Sequence, residues 1–234
     1  MFGDRVYVYG SHDYYNGYVF CMGDYVGWSA PVDDLGNWRY EGVIYEKTAD
    51  PLNKDGKMCL YAPDITMGPD GRYYLYYVLD KVSLVSVAVS DSPAGPFSFY
   101  GYVKDNEGVR LGDRPQDEPQ FDPGVLTENG RTYLYTGACA AGDKSRSGAW
   151  VCVLGEDMLT MEEEPVCVVP GCEYSAGTSF AGHAFFEASS IRKAGDTYYF
   201  VYSSEVMHEL CYATSKSPSV SYTHLRAHET TLHL

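Results

Sequence analysis

Three carboxylates sit in similar short contexts along the chain. Asp64 lies in Tyr61-Ala62-Pro63-Asp64-Ile65, Asp122 in Phe121-Asp122-Pro123-Gly124-Val125, and Glu187 in Phe186-Glu187-Ala188-Ser189-Ser190-Ile191. Each acid opens an apolar, strand-like run. Several carboxylates gathered round one pocket suit glycosidic bond cleavage. One protonates the leaving oxygen while a second activates water or attacks the sugar carbon. A third nearby carboxylate raises the acid's pKa by like-charge repulsion and keeps it protonated near neutral pH. Aromatic neighbours such as Tyr61 and Phe186 offer flat faces for a sugar ring.

Something must bring residues so distant in sequence together, and the chain contains a repeat able to do it. A turn followed by an aromatic strand recurs as Gly3-Asp4-Arg5-Val6-Tyr7, Asp70-Gly71-Arg72-Tyr73-Tyr74, Asn129-Gly130-Arg131-Thr132-Tyr133 and Gly195-Asp196-Thr197-Tyr198-Tyr199. The interval is roughly 60 residues, and Asp-Gly and Asn-Gly are strong hairpin signals. The acid-led strand precedes the turn in the second, third and fourth copies. A further strand, Val85–Ser90 in the second copy, follows it, and Ser90-Asp91-Ser92-Pro93 then leads to an aromatic edge strand. Three or four short strands per unit predict the blades of a β-propeller, with the acid-led strands innermost. A sandwich is the alternative all-β reading, but it leaves the repeat unexplained.

Spacing also bears on both ends. The acid precedes its matched tyrosine by about ten to twelve residues, so the first unit's acid is expected before Met1. Asp4, in the hairpin turn, and Asp13 are both out of register for it. After Ser217-Pro218 an aromatic edge strand is expected. The segment 221–234 instead holds His224, His228 and His233 without strand alternation, and it reads as a disordered tail foreign to a propeller domain spanning 1–220.

Composition narrows the function classes. Seventeen Lys and Arg against 32 Asp and Glu give a net charge of −15, which repels phosphate backbones and anionic lipid and argues against nucleic-acid or membrane partners. The 45% hydrophobic content is ample for a packed core. Tyrosine (23) and glycine (24) fit strands and turns rather than helices. The seven cysteines have wide spacings and no C-x-x-C pair, so they read as buried free thiols rather than a zinc site, and no metal ligands are assigned. The N-terminus lacks the shape of a signal peptide. With the free thiols this favours the cytoplasm, secretion staying open if residues precede Met1.

Taken in order, Tyr61-Ala62-Pro63-Asp64-Ile65 followed by Tyr73-Tyr74-Leu75-Tyr76-Tyr77, then Phe121-Asp122-Pro123-Gly124-Val125, then Phe186-Glu187-Ala188-Ser189-Ser190-Ile191-Arg192-Lys193, resemble blade motifs of glycoside hydrolase family 43 over essentially residues 1–220. The resemblance implies a five-bladed propeller, here about four blades. It implies a hydrolase that removes arabinofuranosyl or xylosyl units from plant-type poly- or oligosaccharides with inversion. By motif match Glu187 is the general acid and Asp64 the residue that tunes its pKa and orients it, while the general base falls before Met1. Asp122, His12, Asp13, Tyr61 and Phe186 are assigned to the substrate pocket, and His183, His208 and Trp150 are candidates for sugar contact. Ser11-His12-Asp13 is not a nucleophilic triad, because adjacent strand residues point to opposite faces. Glu162-Glu163-Glu164 reads as a solvated turn. No cofactor is required, although a structural Ca²⁺ at the propeller axis belongs to the expectation for the complete protein. A chain without base and fifth blade is expected to be inactive, which keeps a non-catalytic glycan-binding propeller as the alternative.

Overall fold

A computed structural model of the chain describes residues 1–139, 144–206, 208–220 and 222–225. The fold is all-β and consists of four antiparallel sheets in chain order. The first comprises β1 (Arg5–Gly10), β2 (Tyr25–Pro31) and β3 (Arg39–Tyr45). The second comprises β4 (Leu60–Met67), β5 (Tyr73–Leu79), β6 (Val85–Ser90) and β7 (Ser98–Tyr102). The third comprises β8 (Gly124–Glu128), β9 (Arg131–Ala138), β10 (Gly148–Leu154) and β11 (Val166–Pro170). The fourth comprises β12 (Phe185–Ala194), β13 (Thr197–Ser204), β14 (Leu210–Ser215) and β15 (Thr223–Leu225). Each sheet is a meander whose strands pair with their sequence neighbours.

The hairpin signals act as expected. Glu128 pairs with Arg131 across Asn129-Gly130, and both central residues have positive φ, 52° and 76°, the requirement of a type I′ turn. In the second sheet Asp70 accepts the amide of Arg72 at 3.0 Å beside Gly71 at φ 82°.

Three apolar cores separate the four sheets, and period-2 alternation feeds both sides of each inner sheet. From β5, Leu75, Tyr77 and Leu79 pack with Tyr25, Ile44 and Tyr45 of the first sheet. The intervening Tyr74, Tyr76 and Val78 pack with Val125, Leu134 and Cys152 of the third. Tyr135, Ala149 and Val151 then meet Phe185, Phe200 and Tyr202 of the fourth. This serial stacking is the propeller arrangement and excludes the two-sheet sandwich. Tyrosine suits such cores because its hydroxyl finds a partner when the ring is buried. Tyr77 donates to Asp50 Oδ2 at 2.7 Å and Tyr76 to the Met158 carbonyl at 2.8 Å.

Two expectations need adjusting. The sheet does not stop at residue 220. Tyr222 is buried in the third core, and Thr223–Leu225 pairs with β14 as an outer strand, with main-chain bonding replacing the missing apolar alternation. Ser221 and residues 226–234, with His228 and His233, lie outside the described residues. The cysteines are free thiols, but only Cys59, Cys152 and Cys211 are buried, and Cys167 is exposed.

Candidate active site

The first strands of the second, third and fourth sheets, β4, β8 and β12, pack side by side. The same bend interrupts the chain in each. Ala62, Asp122 and Ala188 occupy the left-handed region, with φ of 44°, 43° and 66°. The pairing register slips between Tyr61 and Asp64 in β4 and between Glu187 and Ser190 in β12. Non-glycine residues in this region cost on the order of 1 kcal/mol each, and bulges of this kind re-aim side chains. Pro63 and Pro123 follow directly, where no ladder hydrogen bond has to be donated.

The bends fix how the copies correspond. Beyond them Ile65 pairs with Leu75, Val125 with Leu134 and Ile191 with Phe200. Counting back, Asp64 corresponds to Gly124 and Ser190, Asp122 to Ala62 and Ala188, and Glu187 to Tyr61 and Phe121. The three acids therefore stand on three different rungs rather than on one. The acid-to-tyrosine spacing differs by one residue from copy to copy because this stagger is partly offset by a β4–β5 turn one residue longer than the other two.

Asp64 is 9% exposed and fully engaged. Its Oδ1 accepts the Ile65 amide at 3.0 Å and Arg192 Nη2 at 2.9 Å. Its Oδ2 accepts the Val125 amide at 2.9 Å and Arg192 Nη1 at 3.2 Å. One carboxylate thus ties together the second, third and fourth sheets. Thr66 adds a parallel stitch, its Oγ1 accepting the Thr127 amide at 3.1 Å. Asp64 and Arg192 line a cavity between the first strands together with Tyr7, Tyr9, Thr66 and Thr127. Calcium takes six to eight oxygen ligands. The described residues lining this cavity offer one carboxylate, and it is already held by a guanidinium.

Asp122 and Glu187 are placed differently. Asp122 is 7% exposed, and its Oδ2 accepts the Ala188 amide at 2.9 Å, next door to Glu187. Burial, then the charge of Glu187, pushes its carboxyl up to about 7, against the opposing bond from Ala188. Burial also raises the Glu187 carboxyl, while His208 pulls the other way. His208 Nδ1 lies 4.0 Å from Glu187 Oε1, and the Glu187 side chain is 35% exposed. These are two neighbouring carboxyls, one buried and raised by the charge of the other, the second half open to solvent. Asp64 does not contribute to the shift of either.

Aromatic rings flank the pair. Tyr61 stacks with Phe20 at 5.5 Å and meets Phe121 edge-on at 6.1 Å, and its carbonyl accepts the Tyr25 hydroxyl at 2.8 Å. Phe186 meets the His208 ring edge-on at 4.6 Å, and its carbonyl accepts the Cys139 amide at 2.8 Å. The field of Asp122 reaches Cys21 and Tyr61, which places the 20–21 segment by the same mouth.

The expected site residues thus divide. Glu187, Asp122, Tyr61 and Phe186 share the mouth. Asp64 belongs to the seam behind it, because its lone pairs are spent on two amides and a guanidinium. Asp13 accepts the Cys21 amide at 2.6 Å and orders that loop. His12 accepts the Gly23 amide through its carbonyl at 2.8 Å and faces Tyr14 at 6.2 Å. Trp150 bonds the Arg146 carbonyl at 3.1 Å, and His183 pairs with Glu209 at 2.6 Å. Sequence reasoning missed Arg192, Phe121 and Phe20 as members of the site. Arg192 and Phe121 lie within the quoted motifs, but their contacts depend on the register of the bend and the closing of the sheets, which the motifs do not show. Phe20 sits in an irregular loop and carries no signal.

The sequence profile of Glycosyl hydrolases family 43 matches residues 3–231. A xylosidase/arabinosidase of Thermoclostridium stercorarium is 70% identical over 222 residues, covering 95% of this chain and 47% of that protein. The chain therefore spans about half the length of this relative. A xylosidase/arabinosidase of Bacteroides ovatus is 30% identical over 260 residues, covering 96% of this chain and 74% of that protein. Among solved structures, the RS223 β-xylosidase superposes with a TM-score of 0.74 at 27% identity, covering 96% of this chain and 75% of that one.

Proposed function

The chain belongs to glycosyl hydrolase family 43, and from that premise we propose that it carries the proton-donating side of a glycosidase that removes xylosyl or arabinofuranosyl units with inversion. Glu187 protonates the leaving glycosidic oxygen from its solvent-open position at the mouth. Asp122, rather than Asp64, is the carboxylate that tunes it. Two carboxyls this close do not ionise together, so the pair keeps one proton available near neutral pH. Asp64 and Arg192 brace the sheets that carry these two groups. Tyr61, Phe121 and Phe20 present ring faces and edges on which a pentose can rest, while water attacks the anomeric carbon from the opposite side. The single observation that supports this reading is the neighbouring pair itself, Asp122 bonded to the Ala188 amide and raised to about 7 beside Glu187.

The test is hydrolysis of 4-nitrophenyl β-xyloside, 4-nitrophenyl α-L-arabinofuranoside and xylobiose, with the anomer first released followed by proton NMR. Inversion and a loss of roughly 10²–10⁴ in turnover of xylobiose for Glu187→Gln are expected. Unchanged turnover in that variant would sink the assignment. A second reading is a glycan-binding propeller that does not cleave, drawing on the aromatic rings of Phe20, Tyr61 and Phe121, which can hold a sugar without any bond being broken. Saturable binding of xylo-oligosaccharide without any turnover would favour it.

A further inference from the structure

Beneath the turn that carries His208, one carboxylate oxygen gathers three polar groups. Glu209 Oε2 lies 2.6 Å from His183 Nδ1, 3.3 Å from Cys211 Sγ and 3.3 Å from Ser204 Oγ. Glu209 and Cys211 are two residues apart where the chain enters β14, so their side chains share a face. His183 comes from the segment leading into β12. The floor is dry, with Cys211 1% exposed and Ser204 buried. The roof is partly open, the His183 and Glu209 side chains being 22% and 24% exposed.

Three donors exceed the two lone pairs of one oxygen, and a thiol is a weak donor. The donor atoms of His183, Glu209 and Cys211 nevertheless all lie within 4.8 Å of one another. Imidazole nitrogen, thiolate sulfur and carboxylate oxygen form the mixed set that zinc takes at ~2.0–2.3 Å. A thiolate and a carboxylate also neutralise a divalent charge in a site largely shielded from water.

We propose that His183, Glu209 and Cys211 form a binding site for zinc or a zinc-like divalent cation, with a fourth position open to water. On binding, the Cys211 thiol gives its proton to solvent. The His183 ring carries its proton on Nε2 and offers the Nδ1 lone pair, and the Nδ1–Oε2 contact opens to admit the ion. Such an ion would clamp the β13–β14 turn to the lead-in of β12. His208 precedes Glu209 directly, so the clamp sits one residue behind the group facing Glu187. The proposal does not depend on the hydrolase reading.

The experiment is a cobalt(II) titration of the full chain, read as the thiolate-to-cobalt absorption in the near ultraviolet and the visible bands of tetrahedral cobalt. It is paired with a zinc titration of the melting temperature. One equivalent of cobalt should develop both signals, zinc should abolish them, and zinc should raise the melting temperature by several degrees. Cys211→Ser should lose the charge-transfer band. The more exposed His183→Gln and Glu209→Gln should weaken binding at least tenfold while keeping the fold, so the test survives if Cys211→Ser does not fold. No cobalt band in the parent chain overturns the proposal. A band or a zinc-dependent shift that persists unchanged in His183→Gln overturns it as well, by assigning the metal to the other six thiols.

Discussion

Two seams run between neighbouring first strands, and they are built on opposite principles. Between β4 and β8 every polar group has an answer. Asp64 accepts the Val125 amide, Thr66 accepts the Thr127 amide, and Arg192 cancels the charge of Asp64. Between β8 and β12 the corresponding rung of β8 is Gly124, and the strands close in so far that a Cβ there would lie 2.8 Å from the Ser189 carbonyl oxygen. The Ser189 hydroxyl is buried with no hydrogen-bond partner among the described residues, and Asp122 has one amide and no cation for its charge. The first seam spends its acid on stability. The second leaves Asp122 uncompensated, and its carboxyl, raised to about 7, can hold and release a proton near neutrality. Farther along the same two sheets compensation returns, where Lys193 and Tyr198 both bond Glu128.

Breaking the second seam should give the largest effect. Glu187→Gln should cost the roughly 10²–10⁴ expected of a lost general acid, whereas Asp64→Asn, which keeps an acceptor oxygen, should leave the pH profile in place. A downward shift of the alkaline limb in Asp64→Asn, and none in Asp122→Asn, would reverse the assignment of roles. The next effect is thermodynamic. The folded-state pKa of Asp122, about 7, lies above the ordinary carboxylate value of 3.8. The native state therefore holds the proton more tightly than the unfolded chain. Its contribution to stability is complete below about pH 4 and is lost as pH rises through about 7, up to ~4 kcal/mol in all. Chemical denaturation from pH 4 to 8 should show this decline, and Asp122→Asn should flatten it; an identical slope in the variant would refute the buried charge. In the first seam Asp64→Ala strands two amides and Arg192. With the Arg192 side chain 63% exposed, the guanidinium recovers water, leaving a loss of about 2–3 kcal/mol, mostly from the amides. Gly124→Ala should cost about 1–3 kcal/mol through overpacking against Ser189, while leaving the Asp64–Arg192 pair intact. Smallest of all, His208→Gln removes the group that opposes ionisation suppression at Glu187 and should move the alkaline limb of activity upward by a few tenths of a pH unit. Movement in the other direction would place the charge of His208 elsewhere.

The propeller was legible because its determinants are local and repeated. Asn129-Gly130 closes a hairpin wherever it stands between apolar alternations, and four copies of the aromatic strand require four similar sheets. The acids were legible as chemistry but not as neighbours. Asp64 and Asp122 share an acid and a proline with the same flavour of context, yet the proline precedes Asp64 and follows Asp122. That inversion places them on different rungs of the bend. Register depends on φ at Ala62, Asp122 and Ala188, and nothing in the side chain of an alanine announces a left-handed backbone. Arg192 was hidden for a related reason. Its partner Asp64 is 128 residues away, and only the closing of three sheets round one cavity brings them together. Tyr222 shows the same limit in a core residue. Its burial comes from sheet packing across Tyr135 and Phe200, not from alternation in its own segment.

The shared bend also behaves as an address system. Each copy sets two adjacent rungs at the bend. One is occupied in turn by Tyr61, Phe121 and Glu187, the other by Ala62, Asp122 and Ala188. The left-handed bend recurs at all three, so the occupant of a rung changes while the turn beneath it is kept. A duplicated hairpin becomes a ring of interchangeable sockets, and a new specificity needs only a new assortment of side chains in them. Transplanting an acid from one socket to another, such as Tyr61→Glu with Glu187→Tyr, would ask whether the catalytic direction of such a ring can be rotated about its own axis.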